Sequence, residues 1–201
     1  MKLFADIESV IADRVRYPGW CELPKAVTLV SAIMALRPAV TVEIGVFGGS
    51  SLIPMALAHR EIGIGTVIGI DPWSSVAASE GYTGDHLIWW GKTVDLEKVY
   101  QEFMQRIAEL QLTNCVQIVR STSDAFTPPQ TIDLLHIDGQ HSDQAVRDVE
   151  RYASRVRVGG MVFSDDINWV GGGVLRSVAK LKTMGFRELY RAGTGGMFQR
   201  I

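Results

Sequence analysis

Five short apolar runs, rich in β-branched residues, each end at or within two residues of an acid, a hydroxyl or a glycine, and this repeated ending constrains the fold more than any other feature of the chain. The runs are Ala39 to Gly45, Thr66 to Asp71, Cys115 to Val119, Ile132 to Asp138 and Gly160 to Ser164. Each has the length of a strand and is nearly continuous in hydrophobicity, as strands covered on both faces are. Helical patterns lie between them. Ser50 or Ser51 caps a helix running to about Arg60. From Asp95, the residues Leu96, Val99, Tyr100, Phe103, Met104, Ile107 and Leu110 mark one face of a second helix, and Ala145, Val149, Tyr152 and Val156 mark a third. Upstream, Leu3, Ile7, Val10, Ile11 and Val15 predict a helix over 2–16, and another runs from Pro24 to Leu36 until Arg37-Pro38 stops it. The tail predicts a helix from Val174 to Met184, then a hairpin of Phe186 to Arg191 and Gly196 to Arg200. Strands alternating with helices specify an α/β fold: a doubly wound, mostly parallel sheet of about seven strands, helices on both faces, and one antiparallel strand from the C-terminal hairpin.

Composition narrows the partners. The 201 residues suit one domain (1–201), with 22 acidic against 20 basic side chains, a formal charge of −2 and no Lys/Arg run. A surface that tracks nucleic-acid phosphates would show as a basic patch, so no nucleic acid is expected. No apolar run approaches the ~18 to 20 residues of a membrane span, so no membrane is expected either. Cys21 and Cys115 form no C-x-x-C and read as reduced thiols of a cytoplasmic protein. The apolar helices of 1–38 cover the sheet or pack against another subunit, which leaves a homo-oligomer open.

In open parallel sheets ligands bind beyond the carboxyl ends of the strands, so the polar residues at those ends are the candidates. Gly45, Gly48 and Gly49 let the backbone turn tightly and approach a ligand, next to the free N–H groups of the following helix. The spacing is G-x-x-G-G rather than G-x-G-x-x-G, and no Tyr-x-x-x-Lys appears, which argues against a dinucleotide reductase. Glu43 just upstream disfavours a diphosphate and tolerates a ligand with a cationic amino-acid end. Asp71 can accept two ribose hydroxyls or cap the turn beside Pro72. Ser123 or Asp124, after the third strand, can reach an adenine edge or serve as an ordinary cap.

Four ordered segments carry a resemblance: V-E-I-G-V-F-G-G-S (Val42 to Ser50), G-I-D-P-W (Gly69 to Trp73), I-D-L-L-H-I-D-G-Q-H-S (Ile132 to Ser142) and G-G-M-V-F-S-D-D-I-N-W (Gly159 to Trp169). Over roughly residues 39–201 the chain resembles the class I S-adenosylmethionine-dependent methyltransferases, with their Rossmann-like sheet, and most closely the small branch with H-I-D-G-x-H-S. The resemblance implies that Glu43, Gly45, Val46, Phe47, Gly48 and Ser50 hold the methionine part of S-adenosyl-L-methionine, Asp71 the ribose, and Ser123 with Asp124 the adenine side. Trp73 would wall the adenosine pocket or be an aromatic at the edge of the core, and Asp138 would also face the cofactor.

Asp138 ends the fourth strand, and Asp165 with Asp166 ends the fifth, its neighbour in such a sheet. Three converging carboxylates repel unless one is protonated or a cation sits among them. Hard oxygen donors suit Mg²⁺, with Mn²⁺ or Ca²⁺ as alternatives. The pattern is similar to that of metal-dependent sugar O-methyltransferases and of cephalosporin-hydroxylase-like proteins on the same fold, which implies a metal at Asp138, Asp165 and Asp166 and a general base at His141. Asp165 and Asp166 also fit a plain turn. His136 reads as an interior histidine, and His59 and His86 as surface residues. Residues 73–94, which carry Tyr82, His86, Trp89 and Trp90, have no clean period and read as a lid or acceptor wall, with Asn168 and Trp169 beside the same mouth. A Gly171 to Gly173 run follows. The function expected is transfer of a methyl group to a small hydroxylated acceptor. The alternatives are metal-assisted chemistry other than methylation and a non-catalytic cofactor-binding partner.

Overall fold

The computed structural model describes residues 2–169 and 172–201, so Gly171 of the glycine run lies outside the described residues. The strands are β1 (Val40–Ile44), β2 (Thr66–Asp71), β3 (Val116–Arg120), β4 (Ile132–Ile137), β5 (Val156–Ser164), β6 (Phe186–Ala192) and β7 (Gly195–Arg200). They form one sheet in the order β3-β2-β1-β4-β5-β7-β6. β1 pairs in parallel with both β2 and β4, and β7 runs antiparallel between β5 and β6. The doubly wound, mostly parallel sheet with one antiparallel strand is therefore as expected. Chain connections leave β1 and β4 in opposite directions, so the switch point of the sheet lies at their carboxyl ends.

Helices α1 (Lys2–Ala12), α2 (Leu23–Leu36), α3 (Leu52–Ile62) and α6 (Leu96–Glu109) cover one face, and α7 (Asp143–Tyr152) and α8 (Gly173–Thr183) the other. The N-terminal helices pack their apolar residues Leu3, Ile7, Val10, Ala26, Leu29 and Ile33 into the same core as α3. α1 is shorter than its apolar pattern: the chain turns at Asp13, whose side chain accepts the Arg16 N–H at 3.0 Å, and Val15 is left 93% exposed. Val156 opens β5 rather than extending α7, because Ala153–Arg155 form a 3₁₀ turn between them. His59 is no surface residue: it is buried in α3, its Nδ1 donating to the Ile64 carbonyl and its Nε2 accepting from Thr41 Oγ1, both at 2.9 Å.

The insertion at 73–94 is not structureless. It winds into α4 (Ser75–Ser79), α5 (Gly84–Ile88) and one π-helical turn, Trp89–Thr93, a form that often marks functional sites. At the opposite end of the sheet, Asp133 accepts the backbone N–H groups of Ala39 and Val40 at 2.9 Å each and the Arg157 Nε at 2.5 Å, tying the starts of β1, β4 and β5 together. Among the described residues no helix is long and apolar enough to cross a membrane.

Candidate active site

A cavity of about 570 Å³ lies over the carboxyl ends of β1, β2, β4 and β5, within the size range of small-molecule sites. Its floor begins with the loop after β1. Gly45 sits at φ +88°, and a Cβ there would lie 2.2 Å from the Asp138 carbonyl oxygen, so glycine alone lets the β1 loop pass this close to the end of β4. Phe47 follows at φ 49°, which a bulky residue adopts only when its surroundings impose it. Asp71 imposes it. Its Oδ2 accepts the N–H groups of Val46 and Phe47, both at 3.0 Å, and its Oδ1 that of Trp73 at 2.7 Å. Burial pushes the Asp71 carboxyl above its ordinary value, against the pull of those three donors. Asp71 still lines the cavity, and its oxygens retain lone pairs for a ligand.

Gly45, Val46, Phe47 and Ser50 line the cavity, whereas Glu43, Gly48 and Trp73 do not. Glu43 lies behind the loop, accepting from Ser51 Oγ and from His136 Nδ1 at 2.8 Å. Gly48 faces the N-terminal segment, where a Cβ would meet the Pro18 carbonyl oxygen at 2.3 Å. Trp73, at φ 42°, turns into the core, 4% exposed, against Tyr100 and Phe103, and its Nε1 donates to the Phe47 carbonyl at 2.9 Å. It is therefore a buttress of the loop and not a wall of the pocket.

Beyond β3, Ser123 lines the cavity but Asp124 points out to Arg147, 3.4 Å away. The polar surface here comes instead from α7. Asp148 accepts from Ser123 Oγ at 2.5 Å and from Gln144 Nε2 at 2.9 Å, and both α7 side chains line the cavity. Sequence reading missed them because they sit on a helix with an otherwise ordinary amphipathic pattern.

The three acids at the ends of β4 and β5 are not gathered round one point. Asp165 is buried beneath the floor, and both its oxygens accept from Lys25 Nζ, at 2.9 and 2.7 Å. Its Oδ1 also accepts from Thr194 Oγ1 at 2.9 Å and from the Asp166 N–H at 2.7 Å. Lys25, 4% exposed and absent from the sequence-based candidates, reaches this point from the first turn of α2. Burial works against its charge, yet Asp165 above all, then Asp138 and Asp166, outweigh burial and hold the ammonium above the ordinary lysine value. Asp166, at φ 49°, turns the other way, so that its Oδ2 lies 3.1 Å from His141 Nε2. That hydrogen bond, more than any other influence, holds the Asp166 carboxyl below its ordinary value. Asp138 lies close to Asp165, and burial, then Asp165, push its carboxyl above its ordinary value.

Among the described residues, the one set of three donors close enough to share a cation is His136, Asp138 and Asp165. This set shares Asp138 and Asp165 with the expected trio and has His136 in place of Asp166. His136 Nε2 has no partner, but Asp165 already spends both oxygens on an ammonium, and an imidazole is a poor donor for Mg²⁺. The residues present do not fit the divalent cation that the resemblance implied.

His141 itself sits at the cavity wall. Its Nδ1 is 3.2 Å from Tyr82 Oη, and its ring packs on Trp169 at 4.4 Å between centroids. Tyr82 stacks in turn on His86, which is exposed, as expected, and also lines the cavity. Asn168 is exposed and outside the lining, while Trp169 is within it. The outer rim is an aromatic cluster: Trp20 stacks on Phe47 at 5.3 Å, and Trp89 and Trp90 lie 5.5 and 5.9 Å from Trp20. Trp20, 54% exposed, was not anticipated; it is placed by the segment that crosses the glycine loop at Pro18 and Gly19.

Residues 42–167 match a family model described as a methyltransferase domain. The chain belongs to this methyltransferase family. No curated protein sequence matches it at a significant level. Among solved structures it is similar to the O-methyltransferase NovP, with 19% identity and a TM-score of 0.72 over 89% of this chain and 80% of that one. An O-methyltransferase from Bacillus cereus in complex with SAH matches at 14% identity and TM-score 0.65 over 98% and 90% of the two chains. TomG from Streptomyces achromogenes, an O-methyltransferase in complex with SAM, matches at 15% and 0.65 over 100% and 90%. At these identities the likeness is one of fold. The family match includes the glycine loop, Asp71, Ser123, Asp138 and Asp166, and leaves out Trp20, Lys25, Trp169 and Thr194. The mouth of this methyltransferase is therefore built jointly: Phe47, Tyr82, Trp89, Trp90 and His141 lie within the matched segment, and Trp20 and Trp169 outside it.

Proposed function

We propose that the protein transfers a methyl group from S-adenosylmethionine to a hydroxyl oxygen of a small molecule. The carrying observation is that one cavity joins the glycine loop and Asp71 at one end to a His141–Asp166 pair at the other. The solved neighbours named as O-methyltransferases, with SAM or SAH bound, support the same reading. When bound, the cofactor supplies an electrophilic methyl on a sulfonium, whose charge is lost as the methyl leaves.

The chain has to align the two partners and take the hydroxyl proton. Alignment in a closed site contributes on the order of 7 to 11 kcal/mol at best. Asp71, Ser123, Gln144 and Asp148 bind and orient the adenosine, and the loop from Gly45 to Ser50 fixes the remainder. Ionised Asp166 can only accept, so Nε2 of His141 carries the hydrogen and Nδ1 is left basic. Tyr82 Oη at 3.2 Å marks where a hydroxyl donor stands against Nδ1. An acceptor hydroxyl that takes the place of Tyr82 Oη gives its proton to Nδ1 as its oxygen attacks, and Asp166 stabilises the resulting imidazolium. Asp138 lines the same floor. No step needs a divalent cation. The acceptor is hydroxylated and small enough for the aromatic rim of Trp20, Trp89 and Trp90. A cytoplasmic setting fits the buried, unpaired thiols of Cys21 and Cys115.

Calorimetry with S-adenosylhomocysteine tests the proposal. Wild-type protein should bind it, and Asp71→Ala should weaken binding by about 30-fold or more, as expected for hydrogen bonds to a charged group together with a loosened loop. Absence of binding to the wild type would remove the reading.

A further inference from the structure

We propose that Lys25 is the built-in cation of the acid cluster, occupying the place a divalent metal would take, and that its remaining N–H donates to the acceptor oxygen. The proposal rests on the methyl-transfer reading for the identity of that oxygen, but not for the cation itself.

Three carboxylates at the ends of two adjacent strands require compensating positive charge. The structure supplies it from one side chain. Lys25 Nζ lies within hydrogen-bond distance of both Asp165 oxygens, and Asp165 is completed by Thr194 Oγ1 and the Asp166 N–H. Oδ1 then accepts three hydrogen bonds, so Asp165 has little left to offer a metal ion. The ammonium is also fixed in place. α2 buries Ala26, Leu29, Val30 and Ile33 in the core, and β7 begins directly after Thr194, so donor and acceptor are each anchored in regular structure.

An ammonium has three N–H donors, and two are directed at Asp165. Lys25 also lines the cavity, as Asp138, Asp166 and His141 do, so the third is available to a ligand there. In the transfer step the acceptor O–H bond breaks and its proton passes to His141 Nδ1. The oxygen lone pair forms the new C–O bond, and the S–C electron pair stays on sulfur. Lys25 keeps its protons throughout and offsets the negative charge that develops on oxygen, which is the task of a metal in a metal-assisted site.

The test uses Mn²⁺ alone as the probe, followed by electron paramagnetic resonance on the full chain, with S-adenosylhomocysteine binding and melting measured in parallel. The wild type should show no stoichiometric Mn²⁺ site at micromolar concentrations, and chelator treatment should leave its melting temperature unchanged. Lys25→Ala, which vacates the ammonium position, should acquire one Mn²⁺ site that Asp138→Asn added to it removes. A stoichiometric Mn²⁺ site in the wild type overturns the proposal, and so does a folded Lys25→Ala protein that binds none. If Lys25→Ala does not fold, Lys25→Met, which keeps the stem that packs in the core, replaces it under the same two outcomes, and the wild-type titration decides alone if neither folds. Loss of S-adenosylhomocysteine binding by the wild type defeats the methyl-transfer reading instead and leaves the metal result to stand by itself.

Discussion

At the β1–β2 end of the cavity the working surface is mostly backbone, whereas at the β4–β5 end it is side chains delivered from distant parts of the chain. The first end consists of Gly45, Phe47 and the strap of N–H groups held by Asp71. Its positions follow from one loop and one carboxylate, within a single β-loop-α unit and its neighbouring strand. The second end brings Lys25 from α2, Tyr82 from the insertion, His141 from the β4–α7 loop, Asp166 from the end of β5 and Thr194 from the last hairpin. A cofactor common to a family can be held by a local motif. An acceptor particular to one member is met by groups that vary with loops and termini.

If the division is real, damage at one end should leave the other intact. The largest effect is expected for His141→Ala: turnover of any acceptor the wild type methylates should fall about 10² to 10⁴-fold, the usual contribution of a general base, while S-adenosylhomocysteine affinity measured by calorimetry stays within about threefold. Equal losses in both would mean that His141 holds the cofactor and the two ends are not separable.

Asp166→Asn should cost less, about tenfold in turnover, since histidine keeps its place but loses the partner that orients it. It also carries a pH signature. Asp166 has a folded pKa below its unfolded one because of His141, so its contribution to stability is present above the ordinary carboxylate value of about 4 and disappears as pH falls through the lowered folded value. Melting temperatures of wild type and Asp166→Asn should therefore differ at pH 6 to 7, on the order of a neutral assay, and converge in acid. A difference that grows in acid would reverse the sign of this linkage.

The smallest effect is expected at the rim. Trp20→Ala removes an exposed ring stacked on Phe47, and should raise the acceptor KM severalfold, on the order of 1 kcal/mol for an aromatic contact, with cofactor affinity nearly unchanged. A loss confined to cofactor binding would move Trp20 to the other end of the site.

The same contrast explains what could be read in advance. The doubly wound sheet, the glycine loop, Asp71, Ser123, Asp138, His141 and Trp169 were legible because strand ends converge by topology alone. Orientation was not. Trp73 at φ 42° and Asp166 at φ 49° point where regular backbone would not send them, so Trp73 entered the core and Asp166 left the trio it was assigned to. Glu43 and Asp124 have the right chemistry but face a buried histidine and a surface arginine. Lys25 was invisible for another reason: it stands in an otherwise apolar helix, where a lone lysine normally extends to solvent. Its significance lies entirely in Asp165, a partner 140 residues away.

The most direct test of the account is a crystal structure with S-adenosylhomocysteine. It should place adenine against Ser123, Gln144 and Asp148, ribose hydroxyls on Asp71, and the sulfur toward His141 and Lys25, with no metal among the acids. Adenosine stacked beneath Trp20 and Trp89, or a metal ion in the position of the Lys25 ammonium, would contradict it.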